Sequence, residues 1–238
     1  MKKSVAVSAG VILCAMIGFG AGGCNTEDPE PSATAGSEGA ALVCLGDSLT
    51  AGYGASVSGE DDPSKSYPAY LQKKVTIPVV NAGVSGDTTA DALARINRDA
   101  LAKNPRIVII ELGGNDLFQG VSPATTKKNL QRIISGLNDG KRKLYLAKFY
   151  TEAVAKDMLR DTGITDSSIQ NALIAQYDAL FQALAQENRI ELITDIWKGV
   201  WKQNMSDTLH PNAKGYEIMA ETYFQALQPY LTSYNFLK

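Results

Sequence analysis

From residue 40 onward, short runs of consecutive apolar residues alternate with longer stretches in which apolar residues recur every three or four positions. The short runs lie at 41–45 (ALVCL), 79–83 (VVNAG), 106–112 (RIVIIEL), 143–149 (KLYLAKF) and 190–196 (IELITDI). None alternates polar with apolar, so each predicts a strand covered on both faces, as in a parallel sheet. A polar stretch runs from the first strand to Ser66, and SYPAYLQKKV then predicts a short helix with Ser66 as its cap and Pro68 in its first turn. Leu93, Ile96, Ala100 and Leu101 keep helical spacing until Asn104-Pro105 stops them. Ser122-Pro123 opens another helix, with Leu130, Ile133, Ile134 and Leu137 inward and Gly140 at its end. Leu173, Ile174, Tyr177, Leu180, Phe181 and Leu184 mark a long helix, and a last one is expected from Pro211 to Tyr230.

Strand and helix in alternation predict an α/β fold: a three-layer α/β/α sandwich around a five-stranded parallel sheet. Right-handed crossovers leave few topologies, and the flavodoxin-like order 2-1-3-4-5 puts the second strand, which Pro78 precedes, at an edge. In such sheets ligands bind at the carboxyl ends of the strands, near the switch in strand order. A site is therefore expected just after residues 45, 82 and 112.

Composition narrows the chemistry. With 45% apolar and 20% charged residues the chain reads as one globular domain, at 40–238. A net charge of -2 supplies no basic patch for nucleic acid. The single histidine excludes zinc sites built from several histidines, and Cys14, Cys24 and Cys44 are too scattered for a metal knuckle or a disulfide framework. No metal or other cofactor is expected, and Cys44, inside an apolar run, reads as a buried core cysteine. The N-terminus differs from the rest: Lys2 and Lys3, an apolar run from Val5 to Phe19 and small residues before Cys24 predict a signal peptide over 1–23. Ala21-Gly22-Gly23-Cys24 resembles a lipobox, which implies lipidation of Cys24 and attachment to a membrane of the bacterial envelope. Residues 24–39, acidic and rich in Pro, Ser and Gly, then read as a flexible tether.

At the expected crevice stand LGDSLTAGYG (45–54), NAGVSGDT (81–88) and ELGGNDLF (111–118). Each has a second reading taken alone: Ser48 as a turn cap, Gly83 as a tight-turn glycine, Asn115 as a left-handed turn residue. Together they form a set. A serine hydroxyl needs a neighbouring base held by a third group. His210 is the only imidazole, and Asp207, three residues before it, can fix its tautomer. The Ser48 and Gly83 backbone N–H groups and the Asn115 side chain supply three donors for an oxyanion.

These blocks, GDSL with Ser48, NAG with Gly83, GGND with Asn115, and DTLH with Asp207 and His210, resemble in order those of the SGNH (GDSL-type) hydrolases over most of residues 40–230. The wording is most similar to the thioesterase I, lysophospholipase and arylesterase branch. The resemblance implies a nucleophile at Ser48, a base at His210, an orienting acid at Asp207 and an oxyanion hole of Ser48, Gly83 and Asn115. There is no G-x-S-x-G elbow, and acid and histidine lie close in sequence, unlike the α/β-hydrolases. A monomeric esterase is expected, acting on small-molecule esters or thioesters such as lysophospholipid, short-chain or aryl esters. Deacetylation of a polysaccharide is the alternative, and a non-catalytic binding lipoprotein the rival outside enzymes. Leu117 and Phe118 are expected to begin an acyl pocket, residues 150–168 to form a lid, and Trp197 and Trp201 to border the crevice or pack on the sheet. The loop at 56–66 departs from the branch.

Overall fold

A computed structural model describes residues 41–56 and 58–238. The signal segment, Cys24 and the tether expected over 24–39 lie outside these residues. Five strands form one parallel sheet: β1 (Ala41–Gly46), β2 (Val79–Gly83), β3 (Pro105–Glu111), β4 (Lys143–Ala147) and β5 (Glu191–Ile193). Their order is β2-β1-β3-β4-β5, as the crossover rule predicts, with β2 at an edge. β1 is buried along its whole length, and β3 at all but Arg106, which accounts for their unbroken apolar runs.

Eight α-helices follow in chain order among the described residues: α1 (Ser48–Ala51), α2 (Tyr67–Gln72), α3 (Thr89–Asp99), α4 (Gly114–Phe118), α5 (Pro123–Leu137), α6 (Glu152–Asp161), α7 (Ser167–Asn188) and α8 (Ala213–Ser233). The step from β1 to β2 runs opposite to the three steps from β2 to β5, so right-handed crossovers put their helices on opposite faces. Accordingly α2 packs with α8, while α3 packs on α5 and α5 on α7. The caps are local in origin. Thr88 and Asp91 close a capping box on α3, and Ser66, Ser122 and Asp166 cap α2, α5 and α7.

Residues 150–168, the expected lid, hold α6, capped by Thr151, with Val154, Ala155, Met158 and Leu159 buried. Two expectations need correction. The fifth strand ends at Ile193, because Ile196, Trp197 and Val200 turn inward in a run of turns and bury there instead. The last helix begins at Ala213 behind an Asn212 cap, and Pro211 stands before it in an antiparallel bridge to Met205. That helix also continues through Pro229 to Ser233, since Leu227 and Leu231 are both fully buried and packing carries it across the missing N–H.

Candidate active site

Register aligns the carboxyl ends of the strands. Gly46 pairs with Gly83 on one side and Glu111 on the other, and Glu111 pairs with Ala147. The turns that leave these ends carry the predicted side chains. Asp47 caps α1, its carboxylate accepting from Leu49 N at 3.1 Å, and Ser48 follows as the first helical residue. The Ser48 N–H therefore belongs to the first turn, where helical donors have no partner within the helix.

Ser48 Oγ lies 3.0 Å from His210 Nε2, across 162 residues of chain. On the far side of the ring, His210 Nδ1 lies 2.8 Å from Asp207 Oδ2 and 3.1 Å from Oδ1. The three-residue spacing has a local cause: Asp207 Oδ1 also accepts the backbone N–H groups of Leu209 and His210, each at 2.7 Å. An Asx turn thus fixes acid and imidazole as one unit. The loop is closed by the Met205–Pro211 bridge and by Ser206 N donating to His210 O at 2.8 Å. Tyr53 packs against the imidazole with ring centroids 4.5 Å apart. Partial burial raises the Asp207 carboxyl, but the bonds from Leu209 and His210 outweigh it and leave it below its usual pKa. A hydroxyl, an imidazole and an ionised carboxylate in this line can pass the serine proton to the ring.

The donors are arranged differently from expectation. Asn115 sits in α4, and its Nδ2 donates to Asp87 O at 3.0 Å and, at 3.3 Å, to Asp47 Oδ2. The Gly83 N–H does not face the crevice: it donates to Asn81 Oδ1 at 2.9 Å. A Cβ at Gly83 would stand 2.2 Å from Ala51 N, so this glycine exists to let β2 touch the backbone of α1. Gly86, three residues on, has φ 89° in a turn closed by Asp87 N donating to Val84 O. A Cβ there meets nothing within 4 Å, and among the described residues no protein acceptor takes its N–H. The Ser-Gly-Asp wording of that turn was the available signal.

Residues that sequence reasoning passed over support the site. Arg95 of α3 forks between Gly46 O (2.9 Å) and Ala82 O (2.8 Å), with its Nε on Asp87 at 2.6 Å. It therefore ties the ends of β1 and β2 to the turn that holds Asn115. Beneath α1, Glu111 Oε2 accepts from Thr50 Oγ1 at 3.1 Å while Oε1 has no partner among the described residues. Burial pushes the Asp47 carboxyl up to about 7, helped by the charges of Asp87 and Asp116, and raises Glu111 well above its usual range. Trp197 packs in the core with its indole N–H on Phe149 O at 2.6 Å, whereas Trp201 stays half-buried, its N–H on Asp157 Oδ2 at 3.3 Å. Leu117 borders a cavity of about 10 Å³ shared with Tyr150, Leu159 and Tyr177 among others, and Phe118 is half-buried against the core.

Residues 44–218 match the model of the GDSL-like lipase/acylhydrolase family. The chain is 30% identical over 195 residues to the Escherichia coli K12 protein named thioesterase 1/protease 1/lysophospholipase L1, covering 79% of this chain and 83% of that one. It is 29% identical over 195 residues to an arylesterase of Vibrio mimicus, covering 80% of this chain and 89% of the other. Its fold superposes on the crystal structure of TesA with a TM-score of 0.65 and 27% identity, over 80% of this chain and 98% of that one. With the sheet order, the serine–histidine–aspartate line and these likenesses together, the chain belongs to the GDSL-like lipase/acylhydrolase family and is a carboxylic ester hydrolase.

Proposed function

We propose that hydrolysis runs through an acyl-enzyme on Ser48. The observation that carries this is the unbroken line from Ser48 Oγ to His210 Nε2 (3.0 Å) and from Nδ1 to Asp207 Oδ2 (2.8 Å). His210 takes the hydroxyl proton as Oγ bonds to the ester carbonyl carbon. The tetrahedral oxyanion collapses, the C–O bond to the alcohol breaks, and the alcohol leaves with the proton from His210. Water repeats the sequence and releases the acid. The oxyanion is held by the Ser48 and Gly86 N–H groups and by Asn115 Nδ2, which exchanges its long contact to Asp47 for the oxyanion.

Short-chain and aryl esters are the preferred class, in line with the arylesterase among the relatives. The names of the relatives, arylesterase and thioesterase/lysophospholipase, support the same class of acyl transfer and keep lysophospholipid and thioester as the alternatives. Ser48→Ala is expected to lower turnover of p-nitrophenyl acetate by at least about a thousandfold. A fluorophosphonate probe is expected to label Ser48, located by peptide mass spectrometry. Unchanged turnover in the variant, or labelling elsewhere, overturns the assignment.

The enzyme works at the bacterial envelope as a monomer, held to a membrane by an acylated Cys24 and the polar stretch behind it. The run of small residues before Cys24 supports this. Mass spectrometry of the mature N-terminus tests it, and an unmodified Cys24 rules the anchor out.

A further inference from the structure

The oxyanion donor at Gly86 depends on the orientation of a single peptide unit. Residues 84–87 form a turn closed by Asp87 N donating to Val84 O at 3.1 Å, with Gly86 at φ 89° and Ser85 outside the positive-φ region. That combination is a type II turn, with Ser85 second and Gly86 third. The Gly86 N–H belongs to the peptide joining these two residues, the central unit of the turn. Rotating that unit converts type II to type I and reverses the N–H while the closing bond stays intact. Glycine resists such a flip least, because it takes positive and negative φ about equally readily. An oxyanion donor built this way needs a second restraint.

The ends of the turn are held firmly. Val84 N donates to Gly46 O at 3.1 Å, Asn115 donates to Asp87 O, and Arg95 holds the Asp87 carboxylate. None of these bonds reaches the middle. Ser85 and Gly86 are both exposed, and among the described residues they make one hydrogen bond: Ser85 Oγ donates to Asp61 Oδ1 at 2.6 Å. That is the length of a hydroxyl on an ionised carboxylate.

Asp61 lies in the stretch at 56–66 that departs from the branch, and its backbone is anchored to the catalytic base. Tyr53 and Asp61 pair antiparallel, flanked by bonds from Gly54 N to Glu60 O (3.2 Å) and from Asp62 N to Gly52 O (3.1 Å). The first leg rests on His210. Tyr53 packs against the imidazole, its carbonyl accepts from Tyr216 Oη at 2.7 Å, and a Cβ at Gly54 would stand 3.2 Å from His210 Cβ. The second leg carries Asp61 to Ser85. The paired legs thus join the base to the oxyanion turn.

We propose that Asp61 is a positioning residue for ester hydrolysis: through Ser85 Oγ it holds the Ser85–Gly86 peptide with its N–H toward the oxyanion. The legs at 52–54 and 60–62 keep that donor in register with His210. This rests on the acyl-enzyme reading above, with Gly86 as a donor. Asp61 touches no reacting atom. Its effect belongs to the tetrahedral states, where the oxyanion exists, and so falls on kcat rather than KM.

The test measures p-nitrophenyl acetate hydrolysis by the full chain carrying Asp61→Ala, Asp61→Asn, Ser85→Ala, or Asp61→Ala and Ser85→Ala together. Asp61→Ala is expected to lower kcat about tenfold with KM within about twofold, short of the hundred- to thousandfold that outright removal of a donor costs. Asp61→Asn, whose amide oxygen still accepts from Ser85, recovers most of the loss. Ser85→Ala matches Asp61→Ala, and the double variant is no slower than either, because both changes remove one bond. Ser85→Ala deletes only an exposed hydroxyl, so it reads the same bond should Asp61→Ala fold poorly. Phenylboronic acid, which forms a tetrahedral adduct on a serine, is expected to bind both single variants more weakly by about the factor lost in kcat. Unchanged kcat in Ser85→Ala, additive losses in the double variant, or a loss carried by KM alone overturns the role of Asp61. Those results leave the esterase reading standing. That reading falls separately, and this inference with it, if no ester is turned over and the fluorophosphonate probe fails to label Ser48.

Discussion

Asp207 shows how much one residue can settle locally. Its Oδ1 holds two backbone N–H groups of the turn and its Oδ2 the imidazole, so a spacing of three is enough to build the acid–base pair without help from the sheet. Asp207→Asn keeps the turn but offers an amide where the ring needs an acceptor. It is expected to reduce kcat by roughly a thousand- to ten-thousandfold with little change in KM, read from steady-state kinetics. The two glycines after β2 teach the opposite lesson. Gly83→Ala drives a methyl into Ala51 N and is expected to cost about 3 kcal/mol or more. Gly86→Ala meets open space and carries only backbone strain of about 1–2 kcal/mol. Thermal unfolding of the two variants separates them, and a larger loss at Gly86 contradicts the distinction. Ser48, Asn115, Asp207 and His210 were all legible in the motifs. The glycine with an open N–H was misassigned: Asn81, two residues earlier, takes the N–H of Gly83, and only the Ser-Gly-Asp wording marks the turn at Gly86.

At the scale of elements, the apolar runs located all five strands, with boundaries off by a few residues where turns bury side chains beyond the ladder. Helix α6 carried a readable signal in Val154, Ala155, Met158 and Leu159, yet whether a short amphipathic segment packs or stands free depends on the surface it meets. Arg95 was invisible for a related reason. Its place on the inner side of α3 acquires meaning only when β1 and β2 end beside it. It is 8% exposed in its side chain and satisfies two strand-end carbonyls and Asp87. Arg95→Met is expected to destabilise by about 3–5 kcal/mol, since it strands a partly buried carboxylate and two acceptors. Chemical denaturation measures this, and a loss below about 1 kcal/mol would show that water replaces the fork without cost.

For the whole molecule, the unusual feature is two acids in a dry layer under the nucleophile. Folding raises both Asp47 and Glu111, Asp47 to about 7. A raised acid favours the folded state below its ordinary pKa of about 4 and loses that advantage as pH climbs through the folded value. Stability is therefore expected to decline from about pH 4 through 7, with Glu111 extending the decline upward. Asp91, Asp99, Asp157 and Asp207, all lowered, act in the other direction and weaken the fold only as pH falls through and below the usual carboxylate range. Asp47→Asn keeps the helix cap and removes one titration, so its melting temperature relative to wild type is expected to rise between pH 5 and 8, a range on the order of the Asp47 shift. A constant difference across that range would show that Asp47 stays ionised.

The chain by itself determined the alternation of elements, hence a parallel sheet with one switch in strand order, and so the end of the sheet where chemistry had to lie. It also pointed to Ser48, Asp207 and His210, which the fold joins in one hydrogen-bonded line, because the imidazole is single and the acid stands three residues before it. The tertiary structure alone decided that residues 152–161 form a packed helix, that Arg95 closes on the ends of β1 and β2, and that Asp47 and Glu111 share one buried layer. The division is physical. Periodicity and turn chemistry act over a few residues and are written in order along the chain. Hydrogen-bond partners, burial and charge are set by neighbours that folding brings from far along it.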